Sequence, residues 1–249
     1  MYINDINILY YLIIGIAGLF VGQFVDWCNI RLVDYKNIFC KEFFTQYMKE
    51  KKMKYGYMII MSIFYLGIFY RYGFKITTVA YLILAPMLMS ALIIDFKEKI
   101  IPNRLNLTIF EVGLIYTFIL GIKNINVAID LLLGMAVGAG IFIIITLIGG
   151  LIAGKEAMGL GDVKLMGALG LFFGWRLIII ISLLAFLMGA IIGIILMIFK
   201  KKSSDDYIPF GPFIVIATII AMFTPFNILL FAVFKIFTLG TYQGNIIYK

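Results

Sequence analysis

Apolar residues in this chain fall in long runs separated by short polar segments. A membrane-crossing helix needs about 20 such residues, within a range of roughly 17–25. The runs extend from Ile8 to Val25, Tyr57 to Tyr70, Ile76 to Ile94, Leu107 to Ile122, Val127 to Ala153, Val163 to Gly174, Leu177 to Phe199 and Pro209 to Phe234. The pattern predicts an all-α fold, a polytopic transmembrane helix bundle of about eight spans. The second and sixth runs are short, which leaves seven or nine spans open.

The polar segments orient the spans. The segment at 26–56 carries Arg31, Lys36, Lys41, Lys49, Lys51, Lys52 and Lys54, and the one at 95–106 carries Lys97, Lys99 and Arg104. Lys155 and Lys164 fall in the third such segment, and Lys200, Lys201 and Lys202 in the fourth. With eight spans these four segments share one side and hold fifteen of the 21 basic residues. Cytoplasmic loops carry the excess of Lys and Arg. The expected placement is therefore the four segments in the cytoplasm and both termini outside it. Residues 1–249 read as a single membrane-embedded domain with one sizeable cytoplasmic loop at about 26–56. The N-terminus has no basic residue before its first apolar run and no A-x-A-like cleavage site, so it reads as a retained span and not a signal peptide.

Composition agrees. The chain is 63% hydrophobic and 14% charged, against about half and a quarter in soluble domains, so the lipid bilayer is its solvent and first partner. A net charge of +8 invites a nucleic-acid partner, but the cations lie in loops and form no clustered basic face, and nucleic-acid binding is excluded. Tyr47 to Lys54 reads as a basic stretch beside anionic headgroups. With two cysteines, Cys28 and Cys40, and no histidine, the chain offers neither a disulfide framework nor a four-ligand Cys/His zinc site. No metal is expected. In the cytoplasmic loop both thiols stay reduced. The small-residue pairs Gly18/Gly22, Gly134/Gly138, Gly170/Gly174 and Gly189/Gly193 read as helix-packing sites.

Acidic residues near a bilayer are costly and ask for a reason. Asp5, Asp26, Asp34, Glu42, Glu50, Asp205 and Asp206 read as water-facing. Glu111 and Asp130, near span starts, either snorkel or face the bundle. Asp95 closes the third run, seven residues before Pro102. Pro102 favours the first turn of the next helix, which puts Asp95 at a helix C-terminus, where the macrodipole disfavours a carboxylate. The alternative is an ordinary water-facing acid. Asp162 follows Gly159, Leu160 and Gly161, and the glycines allow a tight loop that presents a carboxylate at the membrane. The alternative there is a helix N-cap.

The two belong on the same face, 67 residues apart in sequence. Two carboxyls around one water form an acid–base pair. The ionised one takes the water's proton, and the protonated one donates to a substrate carbonyl. Such a pair titrates as a unit. No histidine-based triad can compete.

At these residues the chain resembles the type IV prepilin peptidase family, a group of membrane aspartic peptidases. Gly159-Leu160-Gly161-Asp162-Val163-Lys164-Leu165 is similar to the second active-site motif of the family, and Asp95 followed by Pro102 to the first. Ile208-Pro209-Phe210-Gly211-Pro212-Phe213 resembles the segment that opens its last span. The stretch from Gly22-Gln23-Phe24-Val25 through Arg31-Leu32 resembles, more loosely, its first-span exit. The resemblance implies an aspartic endopeptidase in the cell (plasma or inner) membrane, multi-pass, with its active site facing the cytoplasm. It would remove a short basic leader from prepilins or pseudopilins, cutting after a glycine, in type IV pilus or protein-secretion systems. Asp95 and Asp162 would be the catalytic pair, with Gly159 and Gly161 shaping the loop and Pro102 starting the next helix. Lys164 either orients the motif or serves topology alone, the second being favoured.

Bifunctional family members carry two C-x-x-C pairs in the first cytoplasmic loop and methylate the new N-terminus with S-adenosylmethionine. Cys28 and Cys40 form no C-x-x-C. The expectation is peptidase activity alone, with no cofactor, S-adenosylmethionine being needed only if methyl transfer were retained. Two rival readings are an ion- or proton-coupled transporter using Asp95, Asp162 and Glu111 as a relay, and a scaffold subunit in which the aspartates are caps. The transporter reading lacks the inverted repeat and paired broken helices of such proteins.

Overall fold

A computed structural model describes residues 2–3, 6–38, 40–47, 53–153, 158–199 and 209–238. Lys49, Lys51, Lys52, Lys155, Lys200 to Lys202, Asp5, Glu50, Asp205, Asp206 and Ile208 lie outside the described residues. The chain opens on a small antiparallel ribbon, β1 (Tyr2–Ile3) and β2 (Ile6–Asn7). This is a departure from a wholly helical fold. Asn7 then caps the first helix, its Oδ1 accepting from the Leu9 N–H at 3.0 Å.

Among the described residues eight α-helices follow: α1 (Ile8–Val33), α2 (Tyr55–Tyr72), α3 (Ile76–Glu98), α4 (Asn103–Lys123), α5 (Ile125–Ala153), α6 (Leu160–Ile198), α7 (Gly211–Phe223) and α8 (Phe226–Phe237). Five of them, α1 and α3 to α6, are long and apolar enough to cross a membrane. α1 continues eight residues past Val25, so the first loop starts at Asp34 and not at 26. Its remnant contains a short π-helical turn, Phe43–Tyr47.

The run expected over Pro209–Phe234 is broken. Thr224 is extended (φ −109°, ψ 130°) and α8 starts only after Pro225. A proline lacks the amide hydrogen the helix would use and disfavours helix in the residue before it.

α6 contains two of the expected runs in one element. At Gly174 its backbone leaves the helical region (φ 73°, ψ 170°), a conformation open to glycine and costly for other residues. Gly134 of α5 packs on Gly170 and Gly174, while Gly138, one turn on, packs on Met166 and Ile178. Residues 166 and 178 therefore lie side by side, and α6 doubles back at the bend. The Asp130 carboxylate sits against Gly174, so this acid faces the bundle. Glu111 is exposed.

Small residues set the helix spacing elsewhere too. Gly18 and Gly22 lie on the α2 backbone at Ser62 and Met58, where any side chain would push the helices apart. The core runs through the inner faces of α3, α6 and α7, with Leu84, Leu88, Leu165, Leu169, Ile214 and Val215 fully enclosed. This packing brings the C-terminal ends of α1 and α3 and the N-terminal ends of α4, α6 and α7 to one end of the bundle.

Candidate active site

Asp95 occupies the last turn of α3, and the helix closes behind it. Lys99 turns into the left-handed region (φ 57°) and donates its N–H to the Asp95 carbonyl at 2.9 Å. The side chain is 2% exposed, which rules out the water-facing alternative. A carboxylate at a helix C-terminus meets the negative end of the macrodipole. Here the start of α7 offsets that cost, because the Gly211 backbone N–H donates to Asp95 Oδ2 at 2.9 Å. Gly211 is one of the first-turn residues whose N–H has no partner inside its own helix. A methyl group at this position would come within 2.6 Å of the same oxygen, so only glycine lets the amide approach.

Asp162 lies in the first turn of α6, and the N-cap alternative does not hold. Gly159 occupies the cap position with no side-chain cap bond, and its carbonyl accepts from the Asp162 N–H at 3.1 Å. Asp162 is 3% exposed, and its Oδ1 has no hydrogen-bond partner among the described residues. Gly161 lets Ile101 lie against the motif, its absent Cβ falling 3.2 Å from that of Ile101.

Two contacts from α4 hold this turn in place. Asn106 Nδ2 donates to the Gly161 carbonyl at 3.0 Å, and Lys164 Nζ donates to Asn103 Oδ1 at 2.8 Å. Lys164 thus ties α6 to the start of α4 in addition to adding a positive charge. Pro102 sits immediately before α4 (φ −58°), and its carbonyl accepts from Leu105 and Asn106.

The fold brings the two aspartates to the same end of the bundle, Asp95 in the last turn of α3 and Asp162 in the first turn of α6. Ile101 lies between their supports, touching the Gly161 position and, through Cδ1, the Gly211 position at 3.1 Å. Two buried carboxyls around one site can hold one proton between them, which leaves one base and one acid. Beside them an apolar groove of about 550 Å³ runs between α4, α5 and α6. Asn106 and Val163 line the groove next to Asp162, and Leu107 and Phe110 line it farther along α4.

The polar residues at the end of α1 are less legible in sequence. Asp26, expected to face water, is 7% exposed and accepts from the Tyr47 hydroxyl at 2.6 Å. The correction follows from the length of α1, which carries Asp26 into the helix–helix interface. Gln23 and Asn29 flank it at three-residue spacing, so the three share one helix face. Gln23 Nε2 donates to the Tyr47 hydroxyl, and Gln23 Oε1 accepts from the Lys54 N–H. That i, i+3, i+6 polar stripe in an apolar run is the signal by which they could be found. Burial and the adjoining Asp26 carboxylate hold the Tyr47 phenol above its usual value, so Tyr47 remains a donor.

The two cysteines lie at the same end of α1. Arg31 stacks over Trp27 at 4.4 Å and pairs with Glu42 at 2.7 Å. Its Nη2 also donates to Cys40 Sγ at 3.0 Å. Cys28 and Cys40 are both free thiols, and no cluster of three metal-ligating residues occurs among the described residues. Two such thiols do not fit a four-thiolate site, so no methyl-transfer step is derived through them.

Comparison with known proteins bears on the same residues. The type IV leader peptidase family matches residues 82–194, a stretch that holds both aspartates. A prepilin leader peptidase/N-methyltransferase of Legionella pneumophila is 36% identical over 156 residues, which is 62% of this chain and 53% of the relative. The Aeromonas hydrophila protein of the same name is 34% identical over 145 residues, 58% of this chain and 49% of the relative. That of Pseudomonas aeruginosa is 33% identical over 153 residues, 61% and 52%. The chain thus spans about half the length of the curated relatives it matches. No solved structure matches. Residues 82–194, from the middle of α3 to the far limb of α6, are the part of the chain that is similar to the type IV leader peptidase family.

Proposed function

We propose that this chain is a membrane aspartic endopeptidase that removes the basic leader from prepilins or pseudopilins, with Asp95 and Asp162 as its catalytic pair. One observation carries the reading. Two buried carboxyls, one at the end of α3 and one at the start of α6, are held by turns that both pack on Ile101, and Asp162 Oδ1 lacks a partner among the described residues. The names of the relatives and the family match over both residues support the substrate class.

In the reaction the ionised carboxylate takes a proton from water while the oxygen forms a bond to the scissile carbonyl carbon. The protonated carboxyl gives its proton to the carbonyl oxygen. The tetrahedral diol then returns a hydroxyl proton to the second carboxylate as its carbonyl re-forms, the C–N bond breaks, and the leaving amine takes up the proton held by the first carboxyl. The roles of the remaining residues follow from their contacts. Gly211 orients Asp95, while Gly159, Gly161 and Asn106 hold the Asp162 turn. The apolar groove beside Asp162 takes the apolar segment that follows the cleaved bond, because its wall is continuous with the turn that carries the aspartate.

The chain acts as one multi-pass domain of the cell membrane, with the pair at the cytoplasmic face. The test is co-expression with a prepilin-like reporter and N-terminal sequencing of the product. Asp95→Asn and Asp162→Asn should each abolish cleavage while the protein stays inserted. Continued cleavage by either variant would sink the assignment.

A further inference from the structure

Hydrolysis needs a water and a peptide carbonyl within hydrogen-bond reach of the carboxyls, and the structure keeps both out. Asp95 is 2% exposed and Asp162 3%. Asp162 Oδ1 is enclosed with no hydrogen-bond partner among the described residues, an unfavourable state for a carboxylate oxygen. The apolar groove stops short of the pair, reaching Val163 and Asn106 but neither aspartate. Ile101, 8% exposed, is wedged between the turn that carries Asp162 and the glycine that bonds to Asp95. Its Cβ lies 3.2 Å from where Gly161 would carry a Cβ, and its Cδ1 lies 3.1 Å from the corresponding point on Gly211.

Ile101 belongs to the short link between α3 and α4, and little else ties that link down. Among the described residues, the backbones of Ile100 and Ile101 make no hydrogen bond. Lys99 begins the link in the left-handed region (φ 57°), a conformation that is costly for a residue with a side chain. Lys99 and Ile100 are both exposed. At the other end Pro102 starts α4. The link is therefore strained where it leaves α3, fixed where it meets α4, and held in place by the burial of one aliphatic side chain. That burial offsets the bare Asp162 oxygen beneath it.

We infer that Ile101 is a gate over the two aspartates. In the resting protein its side chain closes the approach to Asp95 and Asp162, and an arriving peptide displaces it by swinging the link outward at Lys99. Opening exchanges the apolar contacts of Ile101 for a water and a carbonyl at the carboxyls. Because only the open form accepts peptide, the apparent affinity is reduced by the fraction of protein that is open. The inference rests on the peptidase reading and adds to it a closed state that keeps water from the pair until a peptide is present.

The test follows maleimide labelling of cysteines in the full-length protein in detergent. Cys28 and Cys40, the two cysteines of the chain, are first changed to serine, and Ile101→Cys or Ile100→Cys is added. At rest Ile101→Cys should react about tenfold or more slowly than Ile100→Cys, because a covered position reacts only when it opens. A prepilin-like peptide with a hydroxyethylene group in place of the scissile amide, at a concentration that blocks cleavage, should raise the Ile101→Cys rate about threefold or more and leave Ile100→Cys little changed. In the otherwise native chain, Ile101→Val trims one buried methyl group and should lower KM for a cleavable peptide about threefold, with a smaller change in kcat. A residue that served packing alone would instead raise KM or lower kcat. Equal labelling of the two positions at rest, no rise with peptide, or an unchanged or raised KM in Ile101→Val overturns the gate while the peptidase reading stands. If the wild type leaves the cleavable peptide intact, the peptidase reading falls and the gate with it.

Discussion

The backbone N–H of Gly211 reaches Asp95 Oδ2 at 2.9 Å, across 116 residues of sequence. The contact links the start of α7 to the end of α3. It gives the Pro209–Pro212 segment a task beyond starting a helix. Because an added Cβ would fall 2.6 Å from that oxygen, Gly211→Ala must displace the carboxylate. The expected result is a fall in kcat of about 100-fold, the size of effect that ~1 Å of misplacement has on a positioned group. Reporter cleavage at matched protein levels measures it, and wild-type turnover would exclude a positioning role.

Asp95 and Asp162 act as one unit in the proposed reaction. The double variant Asp95→Asn/Asp162→Asn should therefore be no slower than the worse single variant, since groups that work together lose their effect together. Single-turnover rates on the same reporter decide this, and a multiplicative loss would speak against a shared step.

Asn106 supports the Asp162 turn through the Gly161 carbonyl at 3.0 Å. Asn106→Ala should cost about 1 kcal/mol of stability and lower kcat more than it raises KM. Thermal unfolding in detergent combined with steady-state kinetics separates the two effects.

Tyr47 donates to the buried Asp26 carboxylate at 2.6 Å. Tyr47→Phe leaves that acceptor short of a donor, at an expected cost of about 1–3 kcal/mol. Because the folded protein holds the phenol above its ordinary value of 10.0, folding favours the neutral form. The stability it contributes is complete below about pH 10 and is lost as pH rises beyond it. Unfolding midpoints of the wild type and variant should converge at high pH, and a constant gap would refute the account.

Gly174 adopts φ 73° at the bend of α6 and packs on Asp130. Gly174→Ala should lose about 1–2 kcal/mol from backbone strain alone, with more from the Asp130 contact. A lowered unfolding midpoint, or proteolysis near the bend, reports the loss.

Much of this protein is legible along the chain because lipid imposes local rules. The apolar runs locate the helices, and Pro102 and Gly159 mark where α4 and α6 begin. Asp162 stands out because its glycines are its immediate neighbours. Other features have no local signature. Asp26 reads as a loop residue because nothing in the run to Val25 shows that α1 goes on to Val33. Pro225 is visible in the sequence, yet the break it makes before α8 was not expected.

The sequence alone determined an all-helical core, the acidic residues that need a reason, and the glycines beside them, since each follows from backbone chemistry or from the solvent a segment demands. Tertiary packing decided that α6 doubles back, that α7 presents an amide to Asp95, that Asn29 is enclosed without partners among the described residues, and that both aspartates are buried at one end of the bundle. Those outcomes depend on how helix faces fit against one another, and the contacts between faces join residues far apart in the chain.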